Sequence, residues 1–194
     1  MAFVRIERWR GLEAEHRRWI LINALVITAV VNVVLNGLIA WLSVRGHHIV
    51  PAWGLPAPGK TNVLTDTVGT FFFLPFFTCA MTTTAVWAEM RSGRLPPLRT
   101  LAVPRRLARG RLRRGALLGV STAVVLSPVA VVILAVWGLG SVSSTQFVLY
   151  KMTLGVLLGA VVTPVIAVLA MADHSGVRTG GPLRAAPFAS SSPR

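Results

Sequence analysis

Cysteine is almost missing from this chain. Cys79 stands alone among 194 residues, which excludes an internal disulfide or a thiolate metal cluster. Acidic residues are nearly as scarce, 6 against 20 Lys and Arg. Charged residues of both signs make up only 13% of the chain, against about 25% in soluble proteins. There is no HExxH, Walker loop, GxGxxG or CxxC, so no motif announces a metal or a cofactor. A hydrolase needs a nucleophile beside a base. Ser121, Ser127 and Cys79 have no histidine within their apolar segments, and His16 and His174 have only isolated carboxylates for company, so the sequence points away from an enzyme. Adjacent His47 and His48 diverge in extended chain, with no Cys, Asp or Glu nearby to complete a metal site.

What fills the chain instead is apolar sequence, 54% of it. A bilayer core about 30 Å thick needs about 20 mainly apolar residues in helical form, because lipid offers the backbone no hydrogen-bond partner. Four segments meet that length: about Trp19 to Val44, Thr67 to Glu89, Ala116 to Leu139, and Phe147 to Ala172. Trp19, Trp41, Trp87 and Trp137 fall near their ends, where indole rings prefer the headgroup region. The first segment is too long for the ~7 to 15 apolar residues of a signal peptide, and no clear small-x-small cleavage site follows it. The expected fold is therefore all-α, an antiparallel bundle of four transmembrane helices.

Net charge is +14, which alone would suit a nucleic-acid partner, but the cations sit between the apolar segments rather than on a soluble basic domain. Their distribution reads better as orientation. Residues 1–18 hold five Lys and Arg, the first loop two (Arg45, Lys60), the stretch from Arg91 to Arg114 nine, residues 140–146 none, and the tail three. By the positive-inside rule the amino terminus, second loop and tail face the cytoplasm, while the first and third loops face out. The outer loop from Arg45 to Asp66 is long enough to cover part of that end. Arg outnumbers Lys 18 to 2 in an Ala- and Pro-rich chain, as the coding bias of a GC-rich bacterium would produce, and places the protein in its inner membrane.

In the amino-terminal segment Phe3, Ile6, Trp9 and Leu12 recur every three residues, as in a short helix lying in the interface. The second loop holds Leu95-Pro96-Pro97-Leu98 and then Arg105, Arg106, Arg109, Arg111, Arg113 and Arg114. That run orients the chain, and is also suited to contact with anionic lipid headgroups at roughly 1 kcal/mol per basic residue. The tail from His174, rich in Gly, Pro, Ser and Ala, is expected to be disordered.

Polar residues inside apolar spans are costly unless partnered. Asn32 and Asn36 share a face with Ala29 and Ala40 on the first span, and Asp66, Thr70, Thr78 and Thr82 follow at multiples of four on the second. Pro75 interrupts the second span and frees the carbonyl of Phe71, at a depth similar to Asn36. Asn36 is expected to donate to that carbonyl or to Thr70. The asparagines read either as interhelical glue or as the lining of a polar path. Asp66 reads either as the N-cap of the second helix or as the ion-pair partner of Lys151, which enters the fourth span from the same side and alternatively snorkels outward. The third and fourth spans repeat one pattern, Gly119, Ala123, Ser127 and Pro128 against Gly155, Gly159, Thr163 and Pro164. Small residues every four positions let backbones approach closely, and a hydroxyl beside proline can satisfy the carbonyl that the ring leaves free. The same likeness, between spans running in opposite directions, suits a small inverted repeat of the kind transporters use.

Asn32 to Trp41 (NVVLNGLIAW), Pro51 to Gly54 (PAWG) and Thr65 to Cys79 (TDTVGTFFFLPFFTC) together resemble the front half of a group of uncharacterised small bacterial four-helix integral membrane proteins. That resemblance covers about the first half of the chain. It implies no activity, and marks Asn32, Asn36, Trp53, Asp66 and Pro75 as the positions to test. Three classes of function follow from the residues. The first is a non-enzymatic structural or accessory subunit packed on a membrane partner or on copies of itself. The second is a small oligomeric permease or channel, and the third a protein that senses anionic lipid.

Overall fold

The computed structural model describes residues 14–55, 60–96, 98 and 110–177. Four long helices dominate it: α1 (Ala14–Val44), α2 (Val63–Arg91), α3 (Arg111–Val136) and α4 (Ser144–Val177). Each is long and apolar enough to cross a membrane. Two short strands, β1 (Ile49–Pro51) before α2 and β2 (Ser141–Ser143) before α4, pair antiparallel with Val50 opposite Val142. This small sheet departs from the all-helical expectation.

Local chemistry sets the helix boundaries. α2 begins a turn before Thr67 because Asn62, in extended backbone, accepts from the Thr65 N–H at 2.8 Å. Asp66 is therefore not the N-cap; it lies inside the first turns. α4 begins before Phe147 on a reciprocal cap: the Ser143 N–H donates to Gln146 Oε1 at 2.9 Å and the Gln146 N–H to Ser143 Oγ at 3.2 Å. The helix continues past Ala172 to Val177, into the segment expected to be disordered. α3 takes Arg111, Arg113 and Arg114 into its first turn. At the amino end Ala14 to Arg18 continue directly into α1, whose stretch Ile20–Ile27 is wound as a π-helix. Phe3, Ile6, Trp9 and Leu12, with the rest of residues 1–13, lie outside the described residues. Pro75, Pro128 and Pro164 all sit within unbroken helices.

α4 is the hub: it packs along both α1 and α2, while α3 packs along α2. Contact between α1 and α2 is at most slight, although they are consecutive in the chain. α1 and α4 run antiparallel, with Asn36 facing Gly155 and Asn32 facing Gly159; α2 and α3 do the same, with Phe76 facing Gly115 and Phe72 facing Gly119. α2 and α4 run in one direction, Thr67 beside Tyr150 and Thr70 beside Lys151. The buried core is divided into three clusters stacked along the helices, around Phe147, Phe71 and Met171 in turn. Outside it, large apolar side chains face away from the protein, Val124 at 67% exposed and Val132 at 59% among them.

The two ends differ in charge and in construction. At one, β1 and β2 join the arginine-poor first and third loops, and Trp53 Nε1 donates to the Leu139 carbonyl at 3.0 Å. At the other, Leu95 and Leu98 are buried against Ile20, Met90 and Met171. There His16, itself buried, meets the Pro96 carbonyl through Nε2 at 2.9 Å.

Candidate functional site

The weak contact between α1 and α2 leaves a groove of about 680 Å³ between them, running from Asp66 and Lys151 at the arginine-poor end to Trp19 and Glu89 at the other. Thr70, Asn36, Asn32, Thr78 and Thr82 lie along it in between. Its rims are apolar. Phe73 stacks on Phe77 with ring centres 6.1 Å apart, and Leu35, Ile39 and Met81 complete the walls.

The polar end is an ion pair across two helices. Lys151 Nζ lies 2.6 Å from Asp66 Oδ2, with the lysine side chain 4% and the aspartate 18% exposed. Lys151 also donates to Thr70 Oγ1, and that hydroxyl donates in turn to the Asp66 carbonyl at 2.8 Å. Four-residue spacing puts Asp66 and Thr70 on one face of α2, and the parallel run of α4 brings Lys151 level with them. One turn away, Thr67 and Tyr150 share a hydrogen bond of 2.8 Å between the same helices. Lys151 thus points inward rather than snorkelling, and its charge is compensated inside the bundle by Asp66. A buried pair of this kind contributes less to net stability than to register, since desolvation offsets much of its attraction.

The asparagines of α1 meet the small-residue ladder of α4. Asn36 lies over Gly155, where an added Cβ would come within 2.6 Å of Nδ2, and Asn32 is closer still to Gly159. A larger residue at either glycine would have to displace these amides from their present position. Asn36 Nδ2 donates to the Asn32 carbonyl at 3.0 Å, within its own helix, rather than to Phe71 or Thr70 as expected. Asn32 is 7% exposed and its Nδ2 has no acceptor among the described residues.

The ladder of α3 serves a different neighbour. An added Cβ at Gly119 would stand 2.6 Å from the Phe72 carbonyl, and Ala123 packs beside Phe71 and Leu158. Pro75 is buried in α2 between these contacts. The two ladders therefore engage α2 and α1 separately and do not face one another. Ser127 Oγ and Thr163 Oγ1, expected to satisfy the carbonyls freed by Pro128 and Pro164, are buried without hydrogen-bond partners among the described residues.

Of the basic run, Arg105, Arg106 and Arg109 lie outside the described residues. Arg111 and Arg113 are exposed, and Arg111 donates to Thr84 at 2.9 Å. Arg114 departs from the expectation of headgroup contact: it is 1% exposed, near Cys79 in the α2–α3 interface. His47 enters through its backbone, its carbonyl accepting from Ser144. Sequence reasoning missed the β1–β2 bridge, the Leu95 and Leu98 anchor and the groove itself. Ser143 with Gln146 three residues on was a readable helix-start signal; the α1–α2 gap left no mark.

No known protein family, curated protein or solved structure matches the chain.

Proposed function

We propose that this chain is a multi-pass membrane protein, a four-helix bundle crossing a bacterial inner membrane with its arginine-rich end in the cytoplasm, and that it serves as a non-enzymatic accessory subunit of a larger membrane assembly. The observation that carries the reading is the groove. Two consecutive apolar helices stand apart along their length, and the floor between them holds polar side chains. In a bilayer such a floor is costly if lipid alone covers it, and polar groups with small residues are what helix–helix interfaces in membranes use. Part of that floor is already partnered inside the chain, Lys151 with Asp66 and Thr70 and Asn36 with the Asn32 carbonyl, whereas the buried Asn32 Nδ2 has no acceptor among the described residues. Orientation is supported by the pairing of the arginine-poor loops at one end.

Gentle extraction of the tagged chain from its native membrane, followed by mass spectrometry of intact assemblies, tests this directly. A stoichiometric membrane partner is the expected result. A homo-oligomer with no partner would sink the accessory reading and favour a small permease, the second reading. The continuity of the groove from Asp66 to Glu89 supports that alternative, and flux across reconstituted vesicles would then decide it.

A further inference from the structure

The shape and chemistry of the groove narrow down what covers it. Along α2 it extends from Asp66 to Glu89, about 23 residues or roughly 35 Å. That matches a membrane-spanning helix, whereas the acyl chains of one leaflet reach only half of a hydrocarbon core about 30 Å thick. The rims are strongly apolar, Leu35, Ile39, Phe73, Phe77 and Met81 being between 46% and 61% exposed. The floor holds Asn32, whose buried Nδ2 has no acceptor among the described residues. Lipid tails carry no acceptor to offer it. The terminal torsion of an asparagine is soft, so the amide can turn its donor into the groove without moving α1. A second copy meeting this face about a two-fold axis would set one concave surface against another and enclose a void rather than fill it. At Gly69, on the α2 wall, an added Cβ would meet nothing within 4 Å.

We infer that the groove receives a single transmembrane helix from a different membrane protein. That helix carries a hydroxyl or amide acceptor at the depth of Asn32 and a large apolar side chain over Gly69. This rests on the accessory-subunit reading and names the partner's binding element.

The test uses the full chain in its native membrane with a photo-crosslinking side chain placed singly at Leu35, Ile39, Phe77 or Met81, and at Val132 on the outer face of α3. The four groove positions are expected to mark one transmembrane segment of one co-purifying protein, with the marked residues stepping along it in order of depth. Val132 is expected to give lipid adducts. Gly69→Trp, which fills the groove without touching the α1–α4 interface, should expel the partner while leaving the melting temperature of the extracted chain unchanged. Asn32→Ser should lower partner recovery about three- to tenfold. Groove adducts to lipid alone, or to another copy of this chain, overturn the inference. If the partner still co-purifies in that case, the accessory reading stands and the helix docks elsewhere. If no stoichiometric partner is found, both fall.

Discussion

At the residue scale, two of the interactions that hold α4 in place differ in kind. Asn32 and Asn36 sit over Gly159 and Gly155 because no side chain intervenes, so the contact is steric and local. Gly155→Leu should destabilise the protein by about 1–3 kcal/mol, the usual cost of overpacking, read as a fall in thermal midpoint in mild detergent. Gly69→Leu, where the added carbon meets open space, should stay within about 0.5 kcal/mol of the parent. The Lys151–Asp66 pair is electrostatic and spans two helices. Lys151→Met leaves a carboxylate uncompensated and should cost about 3–5 kcal/mol; adding Asp66→Asn should restore part of it. A double-mutant cycle by thermal unfolding measures the coupling, and additive losses would mean that the pair does not act as a unit.

At the element scale, helix starts are governed by caps that lie outside the apolar runs. Asn62 accepts from Thr65 at the head of α2, so Asn62→Ala should cost about 1 kcal/mol, seen as lower stability with the helix content intact. The apolar pattern alone places α2 a turn late because Val63 to Asp66 look like loop until Asn62 is recognised. The same holds for α4, where Ser143 and Gln146 form the cap ahead of the apolar stretch. Prolines were legible as interruptions, yet the helices pass through them. In an apolar environment a helix that stays wound loses one hydrogen bond, while an unwound one would leave several backbone groups unsatisfied. The π-wound stretch Ile20–Ile27, apolar apart from Asn23, has no counterpart in the sequence pattern.

At the scale of the whole molecule, the arrangement to check first is the meeting of the first and third loops. With Cys79 replaced by Ala, a Pro51→Cys, Ser141→Cys pair should oxidise to an internal disulfide, because these residues are opposite one another in the β1–β2 ladder. Gel mobility with and without reductant reads this. A membrane-impermeant thiol reagent applied to intact cells should label Pro51→Cys and spare Arg113→Cys; the reverse pattern would invert the proposed orientation. Closure at this end by two strands, and at the other by Leu95, Leu98 and His16, ties α1, α2 and α4 together at their tips while α1 and α2 stay apart between them.

The number of apolar helices and their approximate positions were determined by the sequence itself, because desolvating a backbone requires a local run of apolar residues that can be counted; their ends were not. The alternation of arginine-rich and arginine-poor connections is equally local, and the two arginine-poor loops meet in the β1–β2 pairing. Which helix packs on which was decided only in three dimensions. The spacing of Asn32 and Asn36 and that of Gly155 and Gly159 were each visible, but nothing along the chain says that one pair fits the other. Asp66 read as a cap, with pairing to Lys151 as the rival; Asn62 takes the cap, and the parallel run of α2 and α4 brings Lys151 to the carboxylate. Arg114 was grouped with its exposed neighbours, although its place on the inner face of α3 buries it. The groove is the clearest case, since a gap between two helices arises from how a third element holds both, and the sequence of neither helix contains that information.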